Sequence, residues 1–337
     1  MKLLATILFS ILFLFTFSPS VNAYQPYPFP RPTSVPRYTQ GRLPPRVIGP
    51  ESFTYGCGGD GPYTGVADGR VFKRMPGGGW TEFGYTSPLR TRRPCDGSTS
   101  PLLEPRCGRP LGVNVDNATC DILVADAYHG LMKIPPTGGR AIPLVSSAEG
   151  VPFRFTNSLD VDHKNRVVYF TDSSTRFTRR EHLRVSSSGD KTGRLMAYDL
   201  RTNQLTVLLR DIKYANGVAL SKNKDYLLVS EIGERRILRY WLQGPKANTT
   251  DVFANFFAAP DNIKRTANGD FWVAMNNGRN PGRTFPEIIG FKLNSEGQDV
   301  QTLLGDGWIQ SVSEIQEHNG MLLIGTINMP YVGFTPA

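Results

Sequence analysis

The stretch Ser158–Asp172, SLDVDHKNRVVYFTD, reads as two short strands folded about a polar turn. Its first half alternates polar and apolar residues, and its second half is a continuous apolar run, the patterns of a half-buried and a fully buried strand. The same arrangement returns at Gly217–Glu231, GVALSKNKDYLLVSE, and at Asn262–Asn276, NIKRTANGDFWVAMN, with the turn in the same place. A further pair of strands follows each one, at 193–209, 236–255 and 288–304. Working outward, first strands begin near Ser52, Leu111, Ser158, Gly217, Asn262 and Val312, a spacing of roughly 45 to 60 residues. This predicts an all-β fold, a six-bladed β-propeller whose sheets close around a channel and leave few exposed edges. The last unit, residues 311–335, ends early, so the chain's N-terminal arm is expected to supply or clasp the outer edge of the closing blade. One long insertion, Ser173–Lys191, interrupts the third unit and is expected to overhang the channel as a partial lid.

Before the first unit, Met1-Lys2 and the apolar run Leu3–Phe17 lead to small residues at Val21 and Ala23. This is the pattern of a cleaved secretory leader over residues 1–23. The Pro-rich residues 24–48 read as an extended arm, and the propeller is expected over 49–337. No later segment is long and apolar enough for a membrane span, so the product is expected in the secretory pathway, in a vacuole lumen or outside the cell. The net charge is +9, yet basic residues are scattered apart from Arg90-Thr-Arg-Arg93 and Arg179-Arg180. With no aromatic-basic motif among them, nucleic acid is not an expected partner. The expectation is a monomer acting on a small molecule.

Four cysteines in an oxidising compartment invite disulfides. Cys95 and Cys107 bracket a polar loop that a bridge would staple. Cys57 and Cys120 sit in apolar, strand-like contexts, open to a second bridge, and are expected to remain reduced or buried. Asn117-Ala-Thr119 and Asn248-Thr-Thr250 are glycosylation sequons in turn-like stretches.

A propeller places the equivalent residue of every blade in a ring. Just before the six innermost strands stand Glu51, Pro110, Asn157, Asn216, Asp261 with Asn262, and Ser311. Singly, such residues are ordinary turn formers. Together they offer two carboxylates and several neutral oxygens converging on one point, the mixture Ca2+ accepts in loose geometry. His and Cys, which zinc prefers, are absent from these positions. Glu51, Asn157, Asn216, Asp261 and Asn262 are therefore the expected metal ligands.

Several stretches, among them CGRPLGV, GVPFRFTNSLDVD, VVYFTDSSTRF, DKTGRLMAYDL, DNIKRTANGDFWVA and IQEHNGMLLIGT, resemble the plant strictosidine synthase-like proteins from Pro50 to Val332. The resemblance implies a six-bladed propeller with a Cys95–Cys107 bridge, akin to calcium-dependent arylesterases and lactonases. Two departures bear on chemistry. Strictosidine synthase joins an amine to an aldehyde with a glutamate in its last blade, and here Ser313 stands at that position, with Ser311 at the neighbouring histidine's. Glu314, one residue later, is expected on the opposite strand face. Conversely, the paraoxonase-like metal ligands are matched at all five ring positions. The arylesterase histidine is Leu111 here, and its partner falls near Asp126.

For a base, the candidates are His129, which follows a strong strand, His182 in the lid, and Asp126 at a second-strand end. Asp126 and Asp172 are equally readable as capping turns. The favoured activity is a Ca2+-dependent ester or lactone hydrolase. Amine–aldehyde condensation and non-catalytic ligand binding are the alternatives.

Overall fold

The computed structural model describes residues 36–276 and 287–337, so the expected leader and the start of the arm lie outside the described residues. Six sheets follow one another along the chain. Blade 1 comprises Phe53–Thr54, Tyr63–Gly65, Arg70–Arg74 and Trp80–Tyr85, with Gly139–Arg140 added in parallel at its edge. Blade 2 comprises Pro110–Val115, Ile122–Asp126, Gly130–Ile134 and Ile142–Val145; blade 3, Thr156–Asp162, Val167–Asp172, Gly193–Asp199 and Gln204–Ile212. Blade 4 is Ala215–Leu220, Tyr226–Glu231, Arg236–Trp241 and Thr250–Asn255; blade 5, Pro260–Arg265, Phe271–Met275, Glu287–Leu293 and Asp299–Gly305. Blade 6 takes Val312–His318, Met321–Thr326 and Tyr331–Pro336 from the C-terminus. Its outer strand, Thr39–Arg42, comes from the arm and runs antiparallel to Tyr331–Phe334.

The first strands of successive blades pack side by side and form the innermost layer. Between blades 2 and 3, Leu123, Leu131, Phe170 and Met196 are fully buried together, with Phe153 edge-on to Phe170 at 5.6 Å. Between blades 5 and 6, Trp272, Ile315 and Ile324 do the same. Each such side chain stabilises the fold by about 1.5–3 kcal/mol relative to its exposed state. Close approach of inner strands also needs glycine: a Cβ on Gly217 would meet the Asp261 carbonyl oxygen at 2.6 Å.

Every inner strand from blade 2 to blade 6 has a register shift near its start, between Pro110 and Gly112, Thr156 and Leu159, Ala215 and Val218, Pro260 and Ile263, and Val312 and Glu314. Such bulges break strict side-chain alternation and re-aim the residues they contain.

Cys95 and Cys107 are bridged, joining two short helices, Arg92–Cys95 and Glu104–Cys107, in the connector between blades 1 and 2. Cys57 and Cys120 are bridged as well, which corrects the expectation of reduced or buried thiols. Cys57 is exposed in the turn after blade 1's first strand, and Cys120 lies in a turn of blade 2 with φ of 59°. Ring closure sets these turns against each other with Cα atoms 5.5 Å apart, a normal disulfide span. In the chain-entropy model the two bridges contribute about 4 and about 3 kcal/mol. Asn117 and Asn248 are both exposed in turns. No helix among the described residues is long and apolar enough to cross a membrane.

Candidate functional site

The bulges sit where the sequence placed its ring of oxygens. Glu51, Asn157, Asn216, Asp261 and Asn262 are all buried, none more than 6% exposed. A repeated device holds their backbone in place. The Thr171 hydroxyl donates to the Asn216 carbonyl at 2.6 Å, the Ser230 hydroxyl to the Asp261 carbonyl at 2.6 Å, and the Ser313 hydroxyl to the Glu51 carbonyl at 2.8 Å. In each case one blade's hydroxyl fixes the ring residue of the next. Asn157 Nδ2 donates to Ser173 Oγ at 3.0 Å, and that hydroxyl donates to the carbonyl of Ala215, beside Asn216.

Three of the ring's oxygens are left without work. Asn216 Oδ1, Asp261 Oδ1 and Asn262 Oδ1 are buried and have no hydrogen-bond partner among the described residues. Buried acceptors are nearly always satisfied, and these three stand together at adjoining strand entrances. A hard cation fits this donor set, with Asn157 and Glu51 within the same ring. The described residues contain no cluster of three His, Cys, Asp or Glu placed for a metal, so a cation here depends on amide oxygens.

The electrostatics agree on the need for positive charge. Burial, and then the neighbouring Glu51 carboxylate, push the Asp261 pKa up to about 8, although Asn276 Nδ2 donates to its Oδ2 at 2.8 Å. Glu51 is also pushed upward by burial, opposed by Arg109, whose guanidinium donates to Glu51 Oε2 at 3.2 Å. Arg109, itself buried, also donates to the Ile327 carbonyl at 3.0 Å. Arg109 thus offsets part of the burial cost at Glu51, whereas the groups that lower the Asp261 pKa are the amides of Asn276 and Asn216.

Of the expected bases, Asp126 has both oxygens engaged by the protein. Asp126 is fully buried and accepts four hydrogen bonds: from the Thr86 hydroxyl at 2.5 Å and from the backbone N–H groups of Arg109, Tyr128 and His129 at 2.8, 2.9 and 3.1 Å. It has no lone pair to spare for water. Asp172 serves blade 3 in the same way, accepting from Phe155 N at 2.9 Å and Arg194 at 2.7 Å, and Glu231 serves blade 4 through Lys213 N at 2.8 Å. These second-strand ends are brackets for the chain entering the inner strand, the capping alternative of the sequence reading. His129 is half-buried with Nε2 unpartnered, and His182 is exposed on the lid helix; no hydrogen bond joins either to the ring among the described residues. Loss of hydration around its ring, and then the Arg179 charge, lower the His182 pKa although the residue as a whole is exposed.

Ser313 is fully buried and spent on the Glu51 carbonyl. Glu314 is fully buried too. It accepts from Phe53 N at 2.7 Å and faces Lys264 Nζ at 3.5 Å, below the ring residues of its strand.

Arg109 and Tyr214, not singled out in the sequence, and Arg179, noted there only as part of a basic pair, act on the ring's charges. Arg179 comes from the lid: its guanidinium donates to Glu104 at 2.6 Å, and burial disfavours its charge but Glu104 and Glu51 outweigh that and raise its pKa. Tyr214 is buried at the entrance to blade 4, with its phenol in the field of Asp261, Arg179 and Glu51 and its pKa raised first by burial. Its φ of 59° is strained for a bulky residue, a cost usually retained near sites. For Arg109 and Tyr214 the available signal was their place immediately before a strand entrance.

The insertion Ser173–Lys191 contains a short turn of 3-10 helix, Arg179–Glu181, and a helix, His182–Ser187. Phe177 and Val185 pack against Leu111, Phe155 and Tyr214. Arg180 N donates to the Tyr128 hydroxyl at 3.0 Å, and that hydroxyl donates to Glu104 at 2.6 Å. The lid is thereby tied to the disulfide-stapled connector across the channel mouth.

The strictosidine synthase family model matches residues 157–245. Protein STRICTOSIDINE SYNTHASE-LIKE 10 of Arabidopsis thaliana is 41% identical over 317 residues, covering 85% of this chain and 84% of that protein. STRICTOSIDINE SYNTHASE-LIKE 11 of the same plant is 36% identical and covers 97% of each. Among solved structures, a gluconolactonase from Xanthomonas campestris superposes with a TM-score of 0.64 at 17% identity, covering 90% of this chain and 95% of that one. The calcium-binding protein regucalcin of Agrobacterium tumefaciens superposes with 0.61 at 12% identity, covering 88% and 92%. At these identities the superpositions speak to the propeller fold alone. The long matches to the Arabidopsis proteins, extending through the ring, the lid and the closing blade, place the chain in the strictosidine synthase-like family.

Proposed function

We propose that the protein is a Ca2+-dependent hydrolase of esters or lactones in the secretory pathway. The observation that carries this reading is the trio of buried, unpartnered oxygens on Asn216, Asp261 and Asn262. Those three residues, with Asn157 and Glu51, would hold the ion. Once bound it would supply Lewis acidity toward a carbonyl oxygen. The chain's own residues do the rest. Arg109 opposes the protonation of Glu51 that burial favours, the hydroxyls of Thr171, Ser230 and Ser313 hold the ring backbone, and the lid limits access of bulk water. The calcium-binding title of one structural neighbour and the gluconolactonase title of another are compatible with this chemistry.

Amine–aldehyde condensation is disfavoured by the same geometry. Its proton transfers need a carboxylate at position 313, and a serine hydroxyl is too weak an acid or base near neutral pH. The nearby Glu314 is committed to Phe53 N and Lys264. A panel of esters and lactones assayed with Ca2+ and with chelator tests the proposal. Turnover that chelation abolishes is expected. Strictosidine formed from tryptamine and secologanin at an authentic synthase's rate, with no Ca2+-dependent hydrolysis, would overturn it.

A further inference from the structure

The two basic clusters that stood out in the sequence, Arg90–Arg93 and Arg179-Arg180, lie far apart along the chain, yet the fold brings them to one place. The first belongs to the connector between blades 1 and 2 and the second to the lid, and the Arg179–Glu104 ion pair ties the lid to that connector at 2.6 Å. Segments 87–109 and 173–192 together hold ten basic and four acidic residues, +6 of the chain's net +9. All four acids are engaged within these segments. Asp96 pairs with Arg90 and Arg92, Glu104 with Arg179, and Glu181 with Arg184, while Asp190 accepts from Ser174 and Thr192. Arg93, Arg106, Arg176, Arg180 and Lys191 are exposed and make no ion pair among the described residues. The charge presented outward is therefore almost wholly positive.

The same two segments expose apolar side chains. Leu102 is 76% exposed, Leu183 on the lid helix 72%, and Leu89 68%. None belongs to a core cluster. Leucines standing among unpaired arginines suit a partner with anionic groups above an apolar layer. A soluble polyanion would meet the arginines and leave the leucines in water.

We propose that this rim of the channel mouth docks on an anionic lipid bilayer, with the arginines at the headgroups and Leu89, Leu102 and Leu183 inserted among them. The docked mouth then faces the bilayer, so apolar molecules dissolved there reach the channel without crossing water. The docking itself is independent of the activity proposed above.

Vesicle flotation of the purified protein tests it, with phosphatidylcholine vesicles containing phosphatidylserine and with phosphatidylcholine alone. Binding is expected to the first and not the second. Arg93→Glu combined with Arg180→Glu should weaken it at least about tenfold. Leu102→Ser with Leu183→Ser should weaken it several-fold while leaving the thermal melt unchanged, since both side chains are already in water. Lys222→Glu, a single charge reversal in an exposed turn between the first two strands of blade 4, should bind as the parent does. Equal binding to both vesicle types, or no flotation, would overturn the proposal. So would binding that ignores the leucine pair, with retention on soluble polygalacturonate, which would identify an acidic polymer instead.

Discussion

Two sets of buried carboxylates and carboxamides lie within one or two turns of chain of each other, and they could hardly differ more. At the second-strand ends, Asp126, Asp172 and Glu231 are buried with their oxygens engaged by backbone N–H groups, a hydroxyl or arginine. At the first-strand entrances, Asn216, Asp261 and Asn262 are equally buried, and each keeps an oxygen with nothing bound to it. Burial and acidity do not separate a structural group from a candidate ligand. Unmet bonding capacity at a shared place does, because buried acceptors are nearly always satisfied and three clustered exceptions call for a reason.

The comparison breaks most visibly at Asp172. Replacing it with Ala should cost about 3–5 kcal/mol, since Arg194 would remain buried without its partner. A melting temperature like the parent's would show that the bracket is not structural. At the entrances the order of effects should invert. Asp261→Ala should lower Ca2+ affinity at least about a hundredfold with little loss of stability, whereas Asp270→Ala, in a turn of the same blade, should leave affinity alone. Isothermal calorimetry on the three proteins decides this, and equal affinities would remove the metal reading.

A pH series sharpens the same point. The folded pKa of Asp261, about 8, lies above the unfolded value near 4, so the folded state holds the extra proton between them. Without Ca2+, stability should fall as pH rises from about 4 to about 8 and then level off. Asp261→Asn should flatten that slope, and saturating Ca2+ should cancel much of it, because an ion bound only to the folded state replaces the proton. Melts in chelator that rise over this range for the parent relative to Asp261→Asn would contradict the assignment. The smallest effect belongs to Ser313→Ala, which removes one hydroxyl from the Glu51 carbonyl. It should cost about 1 kcal/mol and shift Ca2+ affinity less than Asp261→Ala does.

Much of this was legible in the sequence because strands, turns and their repeat are local signals. All six first strands begin near the positions read from Ser158–Asp172 and its cousins. The five ring residues were legible for the same reason, as one repeated place. What the sequence could not carry was anything set by one blade facing another. Cys57 and Cys120 looked strand-like because each adjoins an apolar run, and only ring closure sets their turns together. Arg109 and Arg179 were hidden likewise, since their partners Glu51 and Glu104 lie 58 and 75 residues away. Asp126 looked like a base because the backbone groups that saturate it have no sequence signature.

Strand Thr39–Arg42 has a consequence in time as well as space. It pairs with Tyr331–Phe334, so the first strand among the described residues meets its partner only after all the other blades have been made. Until then blade 6 lacks its inner three strands, and blades 1 and 5 each present an open flank. The five preceding blades are able to assemble from neighbouring contacts, but the ring cannot lock during translation. Closing it spans nearly the whole chain, a slow search compared with pairing a hairpin. The seam of the ring thus joins two strands about 290 residues apart in sequence, and loss of Tyr331–Phe334 would leave Thr39–Arg42 without a partner.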